Sequence, residues 1–136
     1  MKETAVYLHF EGSCVEAMTF YGQCFGTKAG FTTYGESPPG EIPGADLAPD
    51  LVMHAEMAVP GLHLMASDML PGDTYDAGNN FSISVACSSA EELDKLFFAL
   101  MEGGELVQAI KDAFWGDRIG KLTDRFGVNW MLSYRA

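Results

Sequence analysis

The chain has 136 residues, near the modal size of one domain; 48% hydrophobic and 20% charged residues mark it as globular rather than disordered. Nineteen acidic residues against eight basic ones give a net charge of −11, which repels nucleic-acid phosphates and anionic lipid and excludes both as expected partners. No apolar run approaches the ~20 residues of a membrane helix, and "MKETAVYLHF" lacks the apolar core of a signal peptide, so a cytoplasmic location is expected.

The first element is a strand-like run, "AVYLHF" (Ala5 to Phe10). In "EGSCVEAMTFYGQCFG", Ser13 and Glu16 have the spacing of a capping box. Ala17, Met18, Tyr21, Cys24 and Phe25 then form a helical stripe, and Gly26 is placed to stop it. Strands are expected at "KAGFTTYG" and "LVMHAEMAV". The intervening "GESPPGEIPGADLAPD" (Gly35 to Asp50) has four prolines and three glycines. Such a long loop within a small domain is expected to be a lid or a binding loop. A strand "GLHLMAS" follows, then the turn-rich "SDMLPGDTYDAGNN".

The second half repeats this grammar. "FSISVAC" reads as a strand. A helix starts at Ser88 with Glu91, or one residue later at Ser89 with Glu92. Its stripe is Leu93, Leu96, Phe97, Leu100 and Met101, and Gly103-Gly104 ends it. Strands are expected at "ELVQAIKD" and "RIGKLTD". "DRFGV" is a turn in which Asp124 accepts from its own backbone. The last strand, "GVNWMLS", matches "GLHLMAS" at one offset of 66: Gly61 with Gly127, Leu62 with Val128, Leu64 with Trp130, Met65 with Met131, Ser67 with Ser133. Two modules, about 1–68 and 79–136, joined by a linker at 69–78, are therefore expected within one domain.

Cys14, Cys24 and Cys87 contain no CxxC pair, so no zinc knuckle or thioredoxin-like motif is available. All three are expected to be reduced, with Cys14 the one candidate thiolate because it falls in the first turn of a helix.

"YLHFEGSCVEAMTFYGQCFG", "MHAEMAV", "LMASDMLPG" and "FWGDRIGKLTDRFGVNWML" together resemble the vicinal oxygen chelate superfamily of glyoxalases, bleomycin-resistance proteins and extradiol dioxygenases. The resemblance is to its PhnB-like branch, which often carries a demethylubiquinone-methyltransferase label. It implies an α+β fold of paired βαβββ modules forming a curved mixed sheet around a cavity, and a homodimer. It also implies a divalent metal held by His and Glu from the first and last strands of each half, polarising an oxygen-bearing substrate. Those positions fall near Val6, near Asn80, near Met65 and near Met131, and none of these is His, Glu or Asp. Methionine is too soft for the ions concerned, so no metal and no cofactor is expected. Methyl transfer is not expected either, because no glycine-rich loop follows a strand.

The reading is a small-molecule-binding protein of this superfamily without the usual metal ligands. Its expected pocket comprises His54, Met65, Asn80, Trp115, Arg118, Asn129 and Met131, with Met53 or Met57 as further lining. Alternation puts Asn129, Met131 and Ser133 on one strand face and sends Trp130 toward the helix. It also puts His9 on the face opposite Val6. The alternative is a metal-dependent lyase or dioxygenase with displaced ligands such as His54 and Glu56, with His9 and His63 as weaker candidates. A third reading is a structural dimer with a filled cavity. Trp115, in the loop segment "FWGDR", faces either a ligand or a subunit interface.

Overall fold

The computed structural model describes residues 1–136. The chain runs β1 (Val6–Phe10), α1 (Cys14–Phe25), β2 (Gly30–Thr33), β3 (Val52–Val59) and β4 (Leu62–Asp68). It continues as β5 (Ile83–Ala86), α2 (Ala90–Met101), β6 (Glu105–Asp112), β7 (Arg118–Thr123) and β8 (Asn129–Tyr134). The chain divides into two compact units, Met1–Asp76 and Ala77–Ala136. Each holds one helix and one mixed four-stranded sheet, ordered β1-β4-β3-β2 in the first and β5-β8-β7-β6 in the second. In each, the first strand pairs with the last in parallel and the other pairs are antiparallel. The fold is α+β, and neither sheet closes into a barrel. No helix is long and apolar enough to cross a membrane.

Alternation decides which side chains meet the helix. In the first unit Leu8, Phe10, Ala55, Met57, Leu64 and Ala66 are buried, together with Ala17, Met18 and Tyr21 of α1. In the second, Ile83, Leu122, Trp130 and Leu132 are buried with Leu93, Phe97 and Leu100 of α2. Each such large side chain contributes roughly 1.5–3 kcal/mol by leaving water. Gly26 ends α1 at φ 80°, a left-handed conformation glycine adopts without a Cβ penalty. Gly61 and Gly127, the first matched pair of the repeat, also share positive φ, 89° and 86°.

The two helix starts differ from expectation in opposite ways. Ser13 makes no side-chain cap on α1. Asp68, at the end of β4, takes its place: Oδ1 accepts from Gly12 N at 3.1 Å and Cys14 N at 3.0 Å, and Oδ2 accepts from Val52 N at 3.0 Å. The expected box at Ser13 and Glu16 is thus replaced by a carboxylate from a distant strand. In α2 the later of the two expected boxes forms. Ser89 Oγ accepts from Glu92 N at 3.0 Å, while Ser88 N donates to Glu92 Oε1 at 2.9 Å.

The long loop holds two short 3-10 turns, Tyr34–Glu36 and Ala45–Leu47. Its base is pinned: Tyr34 N donates to Leu51 O, Gly35 N to Pro49 O, and the Tyr34 hydroxyl to Asp68 O at 2.7 Å.

Candidate functional site

The helix occupies one face of each sheet, which leaves the other face as the candidate binding surface. In the first unit Val6 aligns with Leu64, on the helix side. Val6, near which the implied first-strand ligand position falls, thus faces the helix, and Tyr7 and His9 face away from it. Tyr7 pairs with Met65, and Met65 pairs on its other side with Glu56. This helix-free face therefore carries a row Tyr7–Met65–Glu56. His9 lies beside Ser67 and His63 beside Ala58. Thr32 lies beside His54. All three histidines of the chain stand on this one face.

The polar groups there are already coupled. Tyr7 Oη and His54 Nδ1 are 3.1 Å apart, and the Tyr7 ring lies 5.3 Å from His9 and 5.7 Å from His54 between centroids. His9 Nδ1 is 3.4 Å from Ser67 Oγ. His63 is held on both ring nitrogens, by Glu56 Oε2 at 2.5 Å and Glu3 Oε1 at 2.9 Å. The bonds to Glu56 first and Glu3 second favour the charged imidazolium and raise its pKa above 6.5. A groove of about 760 Å³ runs past this cluster, lined among others by Glu3, Thr4, Lys28, Glu56 and His63.

In the second unit the corresponding row is Ser84–Met131–Lys121. Asn129 pairs with Thr123, and their side chains bond at 2.7 Å. Trp130 points the other way and is buried, its indole N–H donating to Asp124 Oδ2 at 2.8 Å. Asp124 Oδ1 also accepts from Phe126 N and Val128 N.

The seven expected pocket residues are thus only partly assembled. His54 and Met65 share the first face; Asn129 and Met131 share the second. Arg118 lies on the opposite side of its sheet, in register with Tyr134 and two residues from Gly120, where an added Cβ would meet Phe97 of α2. It lines the groove under α2, not the Met131 face. Asn80 is an exposed bend residue three positions ahead of β5, so it is not on a strand. Trp115 sits at the tip of the β6–β7 hairpin, where its N–H donates to Asp117 Oδ2 at 2.7 Å. Arg135 donates to Asp117 Oδ1 at 2.6 Å, and these two bonds, Arg135 first, lower the Asp117 pKa. Met57 is buried on the helix side of β3 and borders the groove beside Glu56 and His63 rather than the surface around Met65. Tyr7, Ser84 and Lys121 are the residues that reading each strand singly misses, because only the register of neighbouring strands sets them beside the methionines.

Cysteine chemistry is excluded at the expected position. Cys14 is fully buried, and burial first and Asp68 second push its thiol up to about 12. The helix N-terminus does not favour a thiolate here, because the thiol is buried and the Asp68 carboxylate lies beside it. No three His, Cys, Asp or Glu side chains converge in a way that could hold a metal ion. His54 and Glu56 share a face, but each is engaged elsewhere, His54 with Tyr7 and Glu56 with His63.

The chain matches the family described as 3-demethylubiquinone-9 3-methyltransferase over residues 2–133. It belongs to that family. Protein PA1353 from Pseudomonas aeruginosa is 36% identical, with a TM-score of 0.86 over 99% of this chain and 98% of that one. A Bacillus cereus protein described as a putative 3-demethylubiquinone-9 3-methyltransferase, PhnB protein, is 26% identical, with a TM-score of 0.76 over 98% and 99%. A glyoxalase/bleomycin resistance protein/dioxygenase family enzyme from Burkholderia phytofirmans shares the fold at 15% identity, with a TM-score of 0.64 over 97% of each chain. The last of these similarities shows that the chain shares its fold with a glyoxalase/bleomycin resistance/dioxygenase family protein.

The family's description implies a methyl donor such as S-adenosylmethionine, and the resemblance read from the sequence implies a metal. Neither fits the residues present in the usual way. At the β1–α1 turn the donors of Gly12 and Cys14 are spent on Asp68. At the β5–α2 turn Cys87 N donates to Ser133 O and Ser88 N to Glu92. These N–H groups are not free to cradle a cofactor.

Proposed function

We propose that this PhnB-like protein binds a small organic molecule on its helix-free sheet faces without a metal ion. The observation that carries this reading is the methionine at the centre of each face. Met65 and Met131 stand where the superfamily resemblance implies carboxylate ligands, each half-buried between polar neighbours. A thioether is apolar, polarisable and adaptable, which suits contact with an organic ring or chain and not with a hard cation. Tyr7, His54 and Ser67 offer hydrogen bonds at the rim of the first methionine; Ser84, Lys121 and Asn129 do so at the second. Buried thiols at Cys14 and Cys87 suit a reducing compartment such as the cytoplasm.

A thermal-shift screen of aromatic and apolar organic compounds tests the reading, since a ligand of the native state raises its melting point. Hits are expected, and Met65→Asp or Met131→Asp is expected to abolish them while the variant stays folded. Stabilisation by Mn, Ni or Zn that vanishes in His54→Ala would overturn it in favour of the metal-dependent alternative. Stabilisation by no compound would overturn it in favour of a structural protein.

A further inference from the structure

The histidines of the first unit's helix-free face are of two kinds. His63 has both ring nitrogens bonded to carboxylates, those of Glu56 and Glu3. His9 and His54 have no carboxylate partner. Each is bonded through Nδ1 to a hydroxyl, His9 to Ser67 at 3.4 Å and His54 to Tyr7 at 3.1 Å, which leaves Nε2 of each for another partner. The neighbouring acids are spent elsewhere, Glu56 on His63 and Asp68 on the backbone of Gly12, Cys14 and Val52.

Strand register brings these two histidines into one row. Pairing sets His9 of β1 beside Ser67 of β4, and Thr32 of β2 beside His54 of β3. β3 and β4 pair as far as Ala55 with Ala66, so the next step along both strands sets His54 at the level of Ser67. The row is His9, Ser67, His54, Thr32, across the whole sheet. From the row beside it Tyr7 reaches over β4, its ring 5.3 Å from that of His9 and 5.7 Å from that of His54. Its strand partner is the half-buried Met65. A row of imidazoles and hydroxyls thus adjoins an apolar patch made of a phenol ring and a thioether.

We propose that the molecule bound on this face is a small organic acid, its carboxylate accepting hydrogen bonds from Nε2 of His9 and of His54 and its apolar body lying on Met65 and the Tyr7 ring. This names the ligand class of the binding proposed above and rests on that binding. Where the Ser67 and Tyr7 hydroxyls donate to Nδ1, a neutral ring carries its hydrogen on Nε2; where the ring is charged, both nitrogens carry one. In both states Nε2 is a donor, and a carboxylate, which only accepts, selects them. A single negative charge also fits the surroundings. The first unit has no arginine, and its lysines are Lys2 and Lys28, the latter in the groove with Glu3 and Glu56. No guanidinium fork is present for a doubly charged phosphate. The net charge of −11 is spread over the whole chain and is screened beyond about 8 Å at physiological ionic strength, so the groups of the row decide.

Calorimetric titration of the full chain with matched pairs is the test: benzoate with benzamide, phenylacetate with phenylacetamide, hexanoate with hexanamide. At least one acid is expected to bind about tenfold or more tightly than its amide, which keeps the shape without the charge. His9→Gln and His54→Gln should each weaken the acid about tenfold and leave the amide unchanged. Circular dichroism checks that each variant is folded. Imidazole nitrogen NMR of the wild type needs no variant: the acid should shift the resonances of His9 and His54 and not those of His63. Amides that bind as tightly as their acids, a preference for acids that survives both substitutions, or shifts confined to His63 would each overturn this inference and leave the binding it rests on standing. Failure of all six compounds to bind would overturn both.

Discussion

The two units share a strand order but anchor their helices by different means. In Met1–Asp76 the start of α1 is held by Asp68, a carboxylate 2% exposed that reaches back from the end of the last strand. In Ala77–Ala136 the start of α2 is held by its own Ser89 and Glu92. The buried aspartate of that unit, Asp124, braces Trp130 and the turn before β8 instead. Topology follows from apolar alternation and strand register, which the halves share. The polar anchors follow from individual residues, and these differ: position 68 is Asp, whereas its match at the offset of 66 is Tyr134.

The comparison is broken most forcefully at Asp68. Asp68→Ala would leave the backbone donors of Gly12, Cys14 and Val52 without their acceptor, the last two in buried bonds, and should cost about 3 kcal/mol. Urea unfolding of that variant is expected to show the loss; a change below about 1 kcal/mol would mean that water replaces the carboxylate. Next comes the packing under α2. Gly120 pairs with Leu132, whereas the first unit sets Ala55 beside Ala66. A Cβ at residue 120 would lie 2.7 Å from Phe97 Cε2 and 2.9 Å from Ile110 Cγ1. Gly120→Ala should therefore destabilise by about 1–3 kcal/mol through overpacking, visible as a lower melting temperature.

Capping gives a smaller contrast. Ser89→Ala should cost about 1 kcal/mol, and Ser13→Ala should change stability by less than about 0.5 kcal/mol, because only Ser89 caps. Equal losses in denaturant titrations would contradict the assignment of Asp68 as the α1 cap. The smallest effect is electrostatic. His63 in the first unit matches Asn129 in the second, so only the first has a titratable group there. The folded pKa of His63 lies above 6.5 through Glu56 and Glu3. Its stabilisation is thus complete below about pH 6.5 and is lost as pH rises through the folded value. Melting temperatures should fall with pH above that point, and His63→Gln should flatten the profile; an unchanged slope would deny the coupling.

Much of the fold is legible in the residues. Gly26 and Gly103 stop helices because they adopt left-handed backbone. The stripe Leu93, Leu96, Phe97 and Leu100 is buried because its spacing keeps it on one side of a helix. Trp130 and Leu132 face the helix, and Met131 the other side, because strands alternate. The site is less legible. Alternation fixes faces within one strand, but the relation of Arg118 to Met131 depends on the pairing of β7 with β8. That pairing puts Arg118 opposite Tyr134 and on the other side from Met131. Asn80 is expected near the opening strand of the second half, yet that strand begins only at Ile83, since loop backbone carries no period to mark where a strand begins.

The sequence by itself determined the elements, the parallel grammar of the two halves and the methionines at their matched positions, because these rest on local periodicity and on residue identity. Tertiary structure alone decided that Asp68 caps a helix 54 residues earlier at Cys14, that Tyr7 and Glu56 flank Met65, that His63 is clamped between two carboxylates, and that Arg118 lines a groove under α2. Each of these joins residues that are not neighbours in the chain. Such contacts depend on strand register and helix docking, and no local pattern encodes either.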